Sequence, residues 1–87
     1  MLRIIALDTP EGRRYAVHLD EVAKAARCSR ATAYRFVGQD KPMPPAPERG
    51  YVWAHEAAKW VGGRLDRWGS DLPLWVRLHQ NVLLPIS

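Results

Sequence analysis

Two short helical patterns stand a few residues apart in the first half of the chain, and they constrain its fold more than any other feature. Apolar residues recur at the spacing of one helix face at Leu19, Val22, Ala23 and Ala26. Ser29 follows closely, and serine is a preferred N-cap, so a second helix is expected over about 30–37, with Gly38 able to end it. The pattern predicts a helix-turn-helix over about 19–38.

The apolar and polar positions of these helices divide into an inner and an outer set. A small core is expected from Val22, Ala26, Cys28, Ala33 and Phe36, with a small residue needed at Ala23. The second helix would then direct four residues outwards: Arg30, Ala31, Tyr34 and Arg35. The turn has Arg27 where a left-handed residue is usual, at a cost of about 1 kcal/mol. We therefore expect either a wider turn or strain offset by a phosphate contact.

The rest of the chain predicts further short elements around this unit. A β-hairpin is expected from residues 2–7 and 15–17 around a turn at 8–12. Residues 39–50 hold four of the seven prolines and predict a loop before a strand at 51–53. A helix over 54–61 should stop near Gly62 and Gly63, and a helical tail is expected within 70–84. The 87 residues therefore predict one small α+β domain.

Charge favours a polyanionic partner. Thirteen Lys and Arg oppose nine Asp and Glu, for a net charge of +4, and ten of the thirteen bases are Arg. Residues 23–38 contain four basic side chains and no acidic one. Arginine suits phosphate oxygens and guanine edges, so this segment indicates contact with double-stranded DNA.

Residues 19–37 resemble the helix-turn-helix signature L-x-x-V-A-x-x-A-G-V-S-x-x-T-x-x-R-x-[VL]. A proline-rich loop, a strand and a further helix are expected after them. Over about 19–61 this order resembles MerR-like winged helices of the AlpA and Cox-type excisionase group. Arg49 and Tyr51 match the wing, at about 41–53, and Glu56 and Trp60 match the next helix. The expected DNA-contacting residues are Lys24, Arg27, Ser29, Arg30, Ala31, Thr32, Tyr34, Arg35, Lys41, Arg49 and Tyr51.

The resemblance implies a phage or prophage excisionase, which sets the direction of recombination, or a transcriptional regulator. Such a protein would bind and bend DNA, self-associate on it, and act with an integrase where excision is its role. The alternative is a phage-type interaction module that uses its Trp-rich tail to bind and inhibit a host protein. Salt dependence of DNA binding separates the two hypotheses.

Catalytic and metal chemistry is not expected. The chain has no paired carboxylates, phosphate loop or nucleophile motif. The histidines stand far apart in sequence, at His18, His55 and His79, and are expected at the surface or in helix caps. The single cysteine, Cys28, excludes an intramolecular disulfide and is expected in the core. We therefore expect no enzyme activity, cofactor or metal.

The tail is too apolar to be freely solvated in so small a domain. Its apolar residues are Leu72, Leu74, Trp75, Val76, Leu78, Val82, Leu83 and Leu84. They are expected to fold back on the hairpin or to pack against a neighbouring protomer, and the four tryptophans to serve packing rather than base stacking. The apolar run before Asp8 is too short for a signal peptide or membrane span, so a cytoplasmic protein with no membrane role is expected.

Overall fold

The computed structural model describes residues 2–66 and 71–81. Its elements, in chain order, are β1 (Ile4–Thr9), β2 (Gly12–His18), α1 (Leu19–Ala26), α2 (Arg30–Tyr34), β3 (Tyr51–Trp53), α3 (Ala54–Leu65) and α4 (Leu74–Asn81). The three strands form one antiparallel sheet in the order β1-β2-β3. The predicted α+β class is therefore confirmed.

The predicted hairpin is formed by β1 and β2, which pair from Ile4 opposite Val17 to Thr9 opposite Gly12. Pro10 and Glu11 make the turn, where the proline ring presets the backbone. Gly12 takes φ +118°, a conformation that side chains with a Cβ rarely adopt. The Thr9 hydroxyl donates to the Gly12 carbonyl at 2.6 Å and closes the turn.

The predicted strand at 51–53 is present as β3 and adds to the free edge of β2. Val52 lies opposite Val17, and both are buried. Trp53 then serves as the N-cap of α3, so the strand passes directly into the next helix. The sheet thus connects the hairpin to the second half of the chain.

The two helices of the predicted helix-turn-helix are both present, and each begins at a capped residue. His18 Nδ1 accepts from the Asp20 amide at the start of α1, and Ser29 Oγ accepts from the Thr32 amide at the start of α2. The side chains expected on the inner face of α1 are all buried: Leu19, Val22, Ala23 and Ala26. The N-cap predicted at Ser29 is confirmed.

The second helix is shorter than predicted, since it ends at Tyr34 rather than near Val37. The next amides, Arg35, Phe36 and Val37, donate to carbonyls three residues earlier, the tighter geometry that closes a helix end. Val37 then pairs with Met43 in a parallel bridge. That pairing draws the chain away from the helix axis before Gly38.

The segment 35–50 is a loop, as the prolines predict, and it is anchored to the core. Met43 is fully buried, and its backbone bonds to Phe36 and Gly38. Further along, Pro45 pairs with Val52, and the Ala46 amide donates to the Tyr51 carbonyl. Residues 47–50 are all exposed and form the turn between these contacts, which we call the tip turn.

The third helix runs past both glycines, so the prediction that it stops near Gly62 and Gly63 is wrong. It ends at Leu65, and Asp66 caps it in the left-handed conformation at φ 53°. Its buried face continues from Val61 through Gly62. Burial of that face stabilises the helix beyond the glycines, although each one costs about 1 kcal/mol relative to alanine.

The tail helix α4 packs mainly on α3. Leu72, Trp75 and Val76 are buried there, while Leu74 and Leu78 are exposed. The expected packing on the hairpin is thus a minor contact, through the rings of Tyr15 and His79. Val82, Leu83, Leu84 and Trp68 lie outside the described residues. Within 2–66 and 71–81, no helix is long and apolar enough to span a membrane.

The core lies between the sheet, α1 and α3, with α4 closing the far side of α3. The expected inner residues Val22, Ala26 and Ala33 are buried, while Cys28 and Phe36 are half-buried against the same cluster. Phe36 also meets Trp60, with ring centroids 5.1 Å apart. Helix α2 is therefore seated on the core by a few small side chains, and its other faces remain exposed.

Candidate nucleic-acid interface

The outer face of α2 is as the helical spacing predicts. Arg30, Ala31, Tyr34 and Arg35 are all exposed, whereas Ala33 is fully buried. Because α2 ends at Tyr34, Arg35 occupies its C-cap rather than its middle. The face therefore presents two guanidinium groups at its ends, with a methyl group and a phenol ring between them.

The hydroxyl groups expected at this face are engaged in capping. Ser29 Oγ accepts from the Thr32 amide at 3.1 Å and lies 2.9 Å from Thr32 Oγ1. Ser29 is exposed and Thr32 is half-buried. Both hydroxyl groups are therefore engaged at the N-terminus of α2.

The turn between the helices keeps its tight left-handed geometry although it has no glycine. Arg27 has φ 57° and ψ 43°, and its amide donates to carbonyls of the last turn of α1. The Cys28 amide donates to the Ala23 carbonyl at 3.1 Å. The wider turn considered from the sequence is thus not formed, and Arg27 carries backbone strain of about 1 kcal/mol.

Replacing Arg27 should separate the stability of the turn from its charge. Arg27→Gly removes the strained side chain and is expected to raise the free energy of unfolding by about 1 kcal/mol, measured by urea denaturation. Arg27→Lys keeps both charge and strain and should leave stability unchanged. A glycine variant less stable than the lysine variant would contradict the strain.

The structure brings together Tyr34 from α2 with Arg49 and Tyr51 from the tip turn and β3. They line one groove of about 220 Å³, with Gly50 taking φ +86° at its edge. Glu48 lines the same groove and adds one negative charge. This groove joins the outer face of α2 to the tip turn.

Lys24, Arg27 and Lys41, which are also expected contacts, do not line that groove. Lys24 and Arg27 line a second cleft of about 400 Å³, which also involves Leu65 and Leu72. Lys41 is exposed in the loop after α2, where its amide donates to the Gly38 carbonyl, and it lines neither cavity. The expected contact residues thus lie along α1, α2, the turn between them, the loop before β3 and the start of β3, rather than forming one pocket.

Most of the expected contact cations have no carboxylate partner within the described residues, whereas three arginines of the hairpin region do. Arg3, Arg13 and Arg14 each lie within 4.0 Å of a carboxylate. Among residues 2–66 and 71–81, no carboxylate lies within ion-pair distance of five site cations: Lys24, Arg27, Arg35, Lys41 and Arg49. Lys59, Arg64 and Arg77 are likewise without a carboxylate partner in these residues, so the site holds five of the eight unpaired Lys and Arg side chains.

Arg30 is the one site cation with a carboxylate partner in the described residues, and the sequence does not predict that partner. Arg30 Nε lies 3.2 Å from Asp20 Oδ1, while Arg3 Nη2 lies 2.6 Å from Asp20 Oδ2. The Arg3 hydrogen bond is the main cause that holds the pKa of Asp20 below its ordinary value, and Arg30 and His18 act in the same direction. Asp20 is far from Arg30 in sequence, so only the crossing of α1 and α2 reveals the pair.

A separate apolar groove lies between the hairpin and α4. Its lining includes Leu2, Tyr15, Leu74 and Leu78, which are each about half exposed or more. These are four of the five large exposed apolar side chains in the described part of the chain, and the fifth is Tyr34. The groove has a volume of about 410 Å³ and shares no residue with the Tyr34 groove.

The histidines are placed in caps and packing contacts. His18 caps α1, and His79 Nδ1 lies 2.7 Å from the Trp75 carbonyl oxygen. His55 is half-buried in the first turn of α3. In the described segments, no group of three or more His, Cys, Asp or Glu side chains is arranged to hold a metal ion.

Comparison with known proteins adds no relative: no protein-family model matches the chain, and no curated protein or solved structure matches it.

Proposed function

We propose that the chain is a sequence-specific double-stranded DNA-binding protein built as a winged helix-turn-helix. Helix α2 enters the major groove, and the tip turn with Arg49 lies in the adjacent minor groove. The observation that carries the proposal is the exposed outer face of α2, which one groove joins through Tyr34 to Arg49 of the tip turn. Five of the exposed site cations also lack a carboxylate partner in the described chain.

The dimensions of α2 suit this role. A helix with its side chains is about 10–12 Å across, close to the width of the DNA major groove of about 12 Å. Ala31 is small enough to allow close approach, and Tyr34 is 64% exposed beside it. Arg30 and Arg35 then flank the part of the helix that comes nearest to the bases.

The proposal for a more specific biological role rests on the resemblance of residues 19–61 to AlpA and Cox-type excisionases. We propose an excisionase or a transcriptional regulator of phage or prophage origin, acting in the cytoplasm. It would bend DNA, self-associate on repeated sites and act without a catalytic site, with an integrase as a further partner in excision. Selection of duplexes from a random library, followed by footprinting on the selected sequence, tests whether the chain has a specific site.

Arg35 provides the direct test of α2 in the interface. Arg35→Ala should weaken binding to the selected duplex by about 1 to 3 kcal/mol, because one base or phosphate contact is lost. The fold should stay intact, since Arg35 is exposed and has no carboxylate partner in the described chain. Fluorescence anisotropy measures the affinity, and circular dichroism measures the thermal midpoint.

The matched control is Arg13→Ala, which removes the same charge from the hairpin, where Arg13 pairs with Asp8 at 3.3 Å. It should leave DNA affinity within about twofold of the unchanged chain, because Arg13 lies outside the proposed interface, and the fold should stay intact because an exposed ion pair contributes little to stability. If Arg35→Ala binds as tightly as Arg13→Ala, α2 is not part of the interface.

The second candidate, an interaction module that binds a host protein, is favoured by the apolar groove of Leu2, Tyr15, Leu74 and Leu78. Large exposed apolar patches mark protein interfaces more often than free surface. This candidate predicts no salt-sensitive binding to any duplex, whereas the DNA-binding proposal requires it. Duplex titration at two salt concentrations therefore decides between the candidates.

A further inference from the structure

Asp20 connects three separate parts of the chain through one carboxylate. Oδ2 accepts from Arg3 at 2.6 Å and lies 3.6 Å from His18 Nδ1, while Oδ1 lies 3.2 Å from Arg30 Nε. Arg3 precedes β1, His18 ends β2, and Arg30 begins α2. The carboxylate thus ties the first residue of α2 to the first turn of α1 and to the sheet.

The contact of Arg30 with Asp20 is made by Nε of the guanidinium, at 3.2 Å. No other carboxylate in residues 2–66 and 71–81 lies within 4.0 Å of Arg30. The two terminal nitrogens of the guanidinium form a parallel pair of donors on a side chain that is 59% exposed. A parallel donor pair matches O6 and N7 of guanine in the major groove.

Arg3 has a second effect on this arrangement, because it offsets the negative charge of Asp20. An uncompensated carboxylate beside the DNA would repel phosphate, but Arg3 lies closer to Asp20 than Arg30 does. The Arg3 hydrogen bond also holds the pKa of Asp20 below its ordinary value, which favours the charged carboxylate that pairs with Arg30. Asp20 can therefore hold Arg30 without being a net source of repulsion.

We propose that Asp20 is a positioning residue for base readout: it fixes Arg30 so that the terminal nitrogens of Arg30 select guanine at one position of the DNA site. The inference rests on the proposed DNA-binding function. A free arginine side chain loses rotamer freedom when it binds, and a side chain held in place by a neighbour loses less. Because Asp20 restricts the positions that the Arg30 side chain can take, Arg30 should discriminate more strongly between guanine and other bases.

The test measures discrimination rather than affinity alone. The duplex selected by the full chain is compared with duplexes in which each guanine in turn is replaced by 7-deazaguanine, which lacks the N7 acceptor. At one position the unchanged chain should lose about tenfold or more in affinity. Arg30→Ala and Asp20→Ala should each reduce that loss to about twofold, and the double variant should lose no more than Arg30→Ala alone.

The matched control is Asp8→Asn, which removes a carboxylate of the same charge from the hairpin pair with Arg13. It should keep the full discrimination. Asp20→Asn keeps the size of the side chain and an acceptor oxygen, and it serves as a second variant if Asp20→Ala has a lowered thermal midpoint. It should show an intermediate loss.

The outcomes distinguish failure of the proposed DNA binding from failure of the proposed role of Asp20. If the full chain selects no duplex, the proposed function fails, and the role of Asp20 fails with it. If the chain binds DNA but both Asp20 variants discriminate as it does, only the role of Asp20 is wrong. A uniform rise in affinity for every duplex would show that Asp20 acts as an electrostatic brake, which also overturns the positioning role.

Discussion

Trp75→Ala should lower the free energy of unfolding by about 3 to 5 kcal/mol, the range for removal of a large buried aromatic side chain. Trp75 is only 5% exposed and lies in α4, which packs on α3. Domains of this kind are stable by about 5–15 kcal/mol in total, so the variant should be close to unfolded at 37 °C. Urea denaturation followed by circular dichroism at 222 nm measures the change.

Leu74→Ala is the matched control, since Leu74 precedes Trp75 on the same helix but is 60% exposed. It should change stability by no more than about 0.5 kcal/mol. Equal effects of the two variants would mean that α4 does not dock in solution as it does in the structure. Deletion of the chain after Gly69 should act like Trp75→Ala and abolish folding, because Leu72 and Val76 are lost from the core as well.

The elements that the sequence predicts well are those whose signals are local. The apolar face of α1 follows from helical spacing alone, and all of its predicted residues are buried. The Ser29 cap places the start of α2, because a serine hydroxyl satisfies an amide of the first turn. The Pro10 and Gly12 positions likewise give the hairpin turn.

The errors arise where tertiary contacts override local preference. Gly62 and Gly63 are unfavourable in a helix, yet α3 continues past them to Leu65, which packs half-buried against the core. Helix α2 stops early because Val37 pairs with Met43, a contact that no local pattern predicts. The choice of α3 as the main support for α4 depends in the same way on how the whole chain packs.

In the candidate site, too, features with a local sequence signal are predicted and features that depend on tertiary contacts are not. The exposure of Arg30, Tyr34 and Arg35 follows from the phase of α2 against buried Ala33. The contact between Asp20 and Arg30 depends on the crossing of two helices, and the groove that joins Tyr34 to Arg49 depends on the path of a proline-rich loop. Sequence therefore predicts which side chains face outwards but not which of them meet.

The affinity for DNA should fall about five-hundredfold between 50 and 200 mM monovalent salt. Each phosphate neutralised by a Lys or Arg side chain releases condensed counterions, with a log–log slope of about −0.9 per contact. With Arg30 assigned to a guanine edge, five exposed site cations are available to phosphate: Lys24, Arg27, Arg35, Lys41 and Arg49. Engagement of all five would give a slope of about −4.5, measured by anisotropy titrations at four salt concentrations.

Arg49→Ala shows which part of that slope belongs to the tip turn. The variant should flatten the slope by about 1 and weaken binding across many sequences, as expected for a phosphate or minor-groove contact. Arg13→Ala, on the hairpin, should leave the slope unchanged, which excludes a general effect of net charge. If Arg49→Ala alters the preference at a single nucleobase and keeps the slope, Arg49 reads that base, and its assignment to the DNA backbone is wrong.

A slope near zero for the unchanged chain would contradict DNA binding itself. A protein that binds a duplex through this many exposed Lys and Arg side chains must displace counterions.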